Sequence, residues 1–279
     1  MISRREIESQ LRSFGEIKEI MNAMKNLSLM EVHKLARFLE SQHKVSETIE
    51  TAIADLLQFH GALLDSGRTF RELYLLVGSE RGFCGDFNES LMRAFESVDA
   101  AAHEKPLIVV GAKLAAKLGS DARLCAAIEG PSVVEEVDAV LLKLMRTLGE
   151  EPASGALEMP LRLKVLHHQP EEDDVTVTVL QPLQPSAHPG ISYTHAPFLY
   201  LQPQALLAGL AEQYLFAALH ELLYTSLMAE NERRTKHMDA AVRRLEQTST
   251  ELSRRRNLLR QEEITEEIEV IMLSVEALQ

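Results

Sequence analysis

All ten prolines of this 279-residue chain fall between Pro106 and Pro203, so the first 105 residues and the last 76 hold none. A proline inside a helix removes a backbone hydrogen bond and clashes with the preceding turn. The distribution therefore divides the chain into long helix, mixed domain and long helix. The expected boundaries are 1–67, 68–200 and 201–279.

Periodicity supports that division. Ile7, Leu11, Phe14, Ile17 and Met21 repeat at helical spacing, as do Met24, Leu27, Val32, Leu35 and Leu39, and then Ile49, Ile53, Leu56 and Leu63. The seam is close to a heptad. A helix from Glu6 to about Leu64 would be ~90 Å long at 1.5 Å per residue. In the C-terminal part Met238, Leu245, Leu252 and Leu259 recur every seven residues. Ile264, Ile268, Ile271, Val275 and Leu278 then continue the stripe, and we expect these isoleucines to face the seam. The companion positions Ser249, Arg256 and Glu263 are poor, so the pairing should weaken there. This helix would span ~110 Å. Two such helices at opposite ends of one chain bury their stripes most simply against each other, as an antiparallel two-helix coiled coil.

The middle reads differently. "ELYLLVG" (72–78) and "PLIVVGA" (106–112) are short apolar runs ended by glycine, the pattern of buried parallel strands. Helical stretches follow near Glu89–Ala102 and Lys113–Leu118, and another covers Ser132–Gly149. "LRLKVLHHQ" (161–169) and "VTVTVLQPL" (175–183) alternate around an acidic turn and read as an antiparallel hairpin. The fold class is α/β: an inserted Rossmann-like domain between the two helices of the coiled coil.

Charge and composition exclude several functions. The formal net charge is −13, tryptophan is absent and aromatics are 5%. Phosphate-backbone binding needs clustered cations, so nucleic acid is excluded as a partner, while local basic patches are not. Cys84 and Cys125 are the only cysteines and have no CxxC partner, which fits a reducing, cytosolic-side environment. There is no signal-peptide core, and no stretch approaches the roughly 18 apolar residues of a membrane span. Membrane association would be indirect.

"VGSERGFCGDFN" (77–88) is the one candidate for a chemical loop. It lacks GxGxxG and GxxxxGK[ST], with no Lys or Ser/Thr after the second glycine to meet phosphate and magnesium. The plainer reading is a strand-to-helix turn, with Asp86 or Asn88 capping the helix. Cys84 carries no nucleophile signature and reads as a small buried side chain. His167 and His168 are adjacent on a strand and point to opposite faces, so they do not form a metal pair. No catalytic residue, cofactor or metal is expected.

Three stretches carry a family resemblance. "REIESQLRSFGEIKEIMNAMKNLSLMEVHK" resembles the N-terminal helix of the γ subunit of F-type (F1Fo) ATP synthases, where I-T-x-A-M-x-M-V-A-x-x-K is matched at Ile20, Ala23 and Met24, with Lys34 following. "GSERGFCGDFN" is similar to the family's S-D-R-G-L-C-G-x-x-N at Ser79, Arg81, Gly82, Cys84, Gly85 and Asn88. The ending matches Y-N-x-x-R-Q-x-x-I-T-x-E-I-x-E-I at Asn257, Arg260, Gln261, Ile264, Thr265, Glu267 and Ile268, and "MAENERRTKHMDAA" resembles the S-E-x-x-x-R-M-x-A-M-x-x-A before it. The chain departs from the family at Asn26–Val32, where a lysine is lost, at Arg254–Arg256, and at the bulkier end Val270–Glu276. These departures point to a divergent paralogue such as the alternate sodium-type F-ATPase of some bacteria.

The resemblance implies a non-catalytic central-stalk rotor that couples proton or sodium flow to ATP synthesis or hydrolysis. The implied partners are the alpha and beta subunits of the F1 hexamer, the epsilon subunit and the c-ring of the membrane sector. The implied location is peripheral, at the cytoplasmic face of the bacterial inner membrane. Subunit-interface residues would be Met24, Arg254, Arg255, Arg256, Arg260, Gln261, Thr265 and Glu267, with Met24 near the Arg-rich stretch or a beta-subunit loop. The arginines would meet carboxylates of the beta subunits. Two other readings follow from the residues alone: a coiled-coil scaffold with an α/β head, and an enzyme with nucleotide- or thiol-dependent chemistry in that head.

Overall fold

A computed structural model describes residues 3–63, 70–98, 105–119, 121–150, 161–171, 174–181 and 195–276. The elements run α1 (Arg4–His60), β1 (Arg71–Val77), α2 (Phe87–Val98), β2 (Leu107–Val110), α3 (Ala112–Leu118), β3 (Leu124–Ile128), α4 (Val137–Glu150), β4 (Leu161–His168), β5 (Val175–Leu180) and α5 (Pro203–Glu276). The predicted helix ends at Leu64, Ala102 and Leu278 lie outside the described residues. Contacts divide the chain into two compact units, Leu29–Arg234 and the pair Met1–Ser28 with Thr235–Gln279.

Both long helices start where local chemistry says they should. At α1 the Ser3 hydroxyl accepts from the Glu6 N–H at 3.3 Å and the Glu6 carboxylate accepts from the Ser3 N–H at 2.8 Å. This is a capping box, which satisfies two otherwise orphaned donors. Helix α5 begins on Pro203, whose missing N–H costs nothing in the first turn.

In the larger unit the sheet order is β3-β2-β1-β4-β5. β1 pairs in parallel with β2 and β4, β2 with β3, and only β5 is antiparallel. Alternation along β1 divides the core. Leu73, Leu75 and Val77 face one layer with Val137, Leu141 and Leu144 of α4, Leu219, Leu223 and Leu227 of α5, and Leu35 of α1. Tyr74 and Leu76 face the other, with Leu91 and Phe95 of α2 and Leu114 of α3. Each fully buried leucine contributes about 1.5–3 kcal/mol, so this three-layer packing is what holds the unit together. The far end of α1 pairs with the start of α5 through Ile53, Leu56, Leu57 and Leu207.

In the smaller unit the segments of α1 and α5 are antiparallel. Arg4 pairs with Glu263 at 3.4 Å, Lys18 with Glu246 at 2.6 Å and Lys25 with Asp239 at 3.1 Å, the α5 partner falling as the α1 number rises. Ile7 and Met238 are fully buried and Val242 nearly so. Ser249 and Arg256 do fall half-buried on the seam. Beside Ser249 an open groove is lined by Phe14, Gly15, Lys18, Leu245, Ser249 and Ser253.

One expectation is overturned. Ile264, Ile268 and Ile271 do not face the seam: they are 45%, 52% and 61% exposed. The reason is the register. Glu263 already lies level with Arg4, the first residue of α1, so among the described residues no partner turn is left for the α5 residues beyond it.

Candidate functional site

The loop after β1 sits where β1, β2 and β3 end. Three glycines let their connections touch. A Cβ on Gly78 would lie 2.5 Å from Leu114 Cβ, and one on Gly111, at φ +113°, would lie 2.7 Å from the Gly78 carbonyl oxygen. Gly130 packs against Gly111 in turn. In many α/β folds this crevice offers backbone N–H groups to a phosphate. Here the chain's own carboxylates take them. The Glu80 carboxylate accepts from the N–H of Ala112 at 2.8 Å and of Gly130 at 2.7 Å. The Glu230 carboxylate, from α5, accepts from the N–H of Glu80 and of Arg81, both at 3.3 Å.

Glu230 is 4% exposed and ion-paired with the equally buried Arg234. Burial raises the Glu230 pKa, against the opposing pull of the Arg234 guanidinium and the two backbone donors. Arg234 also donates to the Gly82 carbonyl at 3.2 Å, to Asn231 Oδ1 at 2.8 Å and to Cys84 Sγ at 3.3 Å. Cys84 is buried, and burial followed by the nearby Glu230 carboxylate pushes its thiol up to about 12. A thiol so shifted is not a nucleophile at neutral pH. Phe83, at the tip, is held at φ +66° and is 57% exposed. The loop is a locked structural turn.

Details of the turn differ from expectation. Neither Asp86 nor Asn88 caps α2 through its side chain. The Asn88 amide instead accepts from the Ser79 N–H at 3.0 Å and donates to the Ser79 hydroxyl at 2.8 Å. Asp86 pairs with Arg233 at 3.2 Å and Arg93 at 3.5 Å. His167 and His168 do have separate partners: His167 Nε2 lies 3.0 Å from Thr178 Oγ1 and His168 Nε2 lies 2.9 Å from the Phe87 carbonyl. Among the described residues no group of three metal-ligating side chains forms.

The predicted interface residues are scattered along the helices. Arg254, Arg255, Arg260, Gln261, Thr265 and Glu267 are exposed, whereas Arg256 is half-buried and donates to Asn257 Oδ1 at 3.2 Å. Thr265 uses its hydroxyl on the Gln261 carbonyl at 2.9 Å. Met24 is half-buried, next to Lys25, which pairs with Asp239. Arg254 lies 15 residues further along α5 than Asp239, about 22 Å at helical rise, so Met24 is not beside the Arg-rich stretch. Glu80, Glu230 and Arg234 went unassigned in the sequence. Their one signal is an i,i+4 Glu–Arg pair inside "MAENERR", and its pairing with a distant loop is a tertiary fact.

The family model for ATP synthase matches residues 3–278. This chain belongs to the ATP synthase gamma-subunit family. It is 23% identical, over the whole length of both chains, to the ATP synthase gamma chain of Pelotomaculum thermopropionicum. The fold is also that of chains in mitochondrial ATP synthases. A Euglena gracilis chain from the rotor in rotational state 1 aligns with a TM-score of 0.61 at 14% identity, over 94% of this chain and 98% of the other. One from the Euglena OSCP/F1/c-ring assembly in rotational state 3 gives 0.64 at 15%, over 99% and 94%. A Tetrahymena thermophila chain from the central stalk and c-ring gives 0.52 at 15%, over 80% and 99%. Among the described residues no helix is long and apolar enough to cross a membrane.

Proposed function

We propose that this chain is the central-stalk rotor subunit of an F-type ATP synthase, coupling ion flow through a membrane sector to ATP synthesis or hydrolysis in an alpha/beta hexamer. Family membership is the ground for this reading, and one structural observation supports it most directly. Val270, Ile271, Met272 and Leu273 are each 61–66% exposed. Four consecutive residues at 3.6 per turn cover the whole circumference of a helix. A groove covers one face of a helix; only a partner that encircles it covers all of them. A hexamer with a central opening is such a partner.

Arg254, Arg255, Arg260, Gln261, Thr265 and Glu267, spread around the exposed part of α5, then meet alpha and beta subunits, with Met24 and the half-buried Arg256 as further contacts. The epsilon subunit and c-ring bind elsewhere on the rotor, and membrane attachment, at the cytoplasmic face of a bacterial inner membrane, runs through them. The departures at Asn26–Val32 and Arg254–Arg256 favour the sodium-type paralogue. A rotor carries no chemistry. Differential contact with the conformational states of the surrounding subunits shifts their populations as it turns. The test is affinity purification of the tagged chain from its native membranes. Stoichiometric recovery of a nucleotide-hydrolysing alpha/beta hexamer is expected, and recovery of the chain alone or with unrelated coiled-coil proteins would overturn the reading.

A further inference from the structure

Away from the glycine crevice, at the opposite ends of the strands, one polar row crosses the sheet. Glu72 of β1 is in register with Arg162 of β4, and Tyr74 with Lys164. Lys105 precedes β2 by two residues, as Glu72 precedes Tyr74 by two, and Tyr74 is in register with Leu107. Three cations thus gather on one carboxylate. Arg162 Nη1 lies 3.4 Å from Glu72, Lys105 Nζ 3.6 Å and Lys164 Nζ 3.9 Å. Charge-assisted hydrogen bonds are normally about 2.7–2.9 Å long, so Glu72 satisfies none of the three well. Among the described residues no second carboxylate pairs with any of them.

Two of the three cations are nevertheless held in place. Arg162 stacks over the Phe70 ring at 4.5 Å and donates to Gln181 Oε1 at 3.1 Å. Lys164 sits over the Tyr74 ring at 5.3 Å and donates to its hydroxyl at 3.3 Å. The result is a local excess of positive charge in a chain of net charge −13: one carboxylate is shared among three cations, and the other acceptors are neutral.

We infer that Lys105, Arg162 and Lys164 form a binding site for a phosphate-class anion, either soluble or a phospholipid headgroup. Glu72 acts as an internal competitor that keeps the cations converged when the site is empty. The site is distinct from the crevice, where carboxylates already hold the backbone donors, and it does not depend on the rotor reading.

Inorganic pyrophosphate titrated into the full chain at low ionic strength, followed by calorimetry, tests it. Saturable binding is expected, weakened about fivefold by Lys105→Gln or Lys164→Gln and lost at high salt. Glu72→Gln separates binding from mere structure, because removing the competitor should tighten binding about fivefold even if it lowers stability. Cosedimentation with phosphatidylcholine vesicles, with and without phosphatidylglycerol, identifies the source. Binding to the anionic vesicles that is tightened by Glu72→Gln assigns a headgroup, and pyrophosphate binding without vesicle binding assigns a soluble anion. No saturable binding of either probe by the wild type or by Glu72→Gln overturns the site.

Discussion

Arg234 donates to Glu230, Asn231, Cys84 and the Gly82 carbonyl from a position 4% exposed. Removing it would leave a buried carboxylate without its counter-charge, a change that typically costs roughly 3–5 kcal/mol. Arg234→Ala should therefore lower the chain's stability by about that amount in urea titrations, with a proportionate drop in midpoint. The same network makes the two cysteines unequal. Cys84 is buried, with its thiol raised to about 12, while Cys125 is exposed. Iodoacetamide at pH 8, read by peptide mass spectrometry, should modify Cys125 in the native chain and Cys84 only after denaturation. A buried, structural Cys84 was legible from its type and its lack of a partner motif. The carboxylates around it were not. Sequence patterns report helix faces and strand alternation, but they do not say which distant loop a buried Glu–Arg pair will close upon.

At the scale of elements, α1 and α5 are clasped by His43, whose Nδ1 lies 3.1 Å from the Glu221 carboxylate and whose Nε2 lies 3.4 Å from Glu47 on the next turn. The hydrogen bond to Glu221 is the main cause raising the His43 pKa above 6.5. A raised folded value means that the clasp stabilises the fold fully below pH 6.5 and fades as pH rises through the folded value. The pair is exposed, so the effect is small. His167 acts in the opposite sense, because burial lowers its pKa and its contribution is present above 6.5 and lost on acidification. Subtracting the His43→Gln variant isolates the clasp: its melting-point deficit should be larger at pH 5.5 than at pH 8.5. The existence of both helices, the strands and the hairpin was readable from proline exclusion and from periods of 3.6 and 2. The fate of Ile264, Ile268 and Ile271 was not. An apolar stripe says that a surface will be covered, and the register between α1 and α5, marked by ion pairs such as Arg4–Glu263, decides whether the chain itself can do it.

At the scale of the whole molecule, the exposed end of α5 separates the chain's own stability from its assembly. Arg260 and Gln261 are exposed, and among the described residues neither side chain enters a hydrogen bond or ion pair. A hydrogen bond to a charged group typically contributes about 1.5–3 kcal/mol. Arg260→Ala combined with Gln261→Ala should therefore leave the melting point of the isolated subunit unchanged while lowering ATPase activity or the yield of assembled complex. A drop in the subunit's own melting point with normal complex activity would instead make this face internal packing. The family was legible because its motifs lie at the two ends and at the glycine loop; the surfaces used by each partner were not, since a contact between subunits is a property of two sequences. Glu80 has one further consequence. Its carboxylate joins the ends of β1, β2 and β3 by holding the N–H groups of Ala112 and Gly130. Glu80→Ala would leave two converging donors facing a vacancy the size of a small acid. Folding stability should then depend on solute, following the logarithm of ligand concentration over its dissociation constant. Formate should restore the lost melting temperature more than chloride at equal ionic strength, turning a side chain's role into a chemical that can be added back; equal effects of the two salts would show that the donors find other partners.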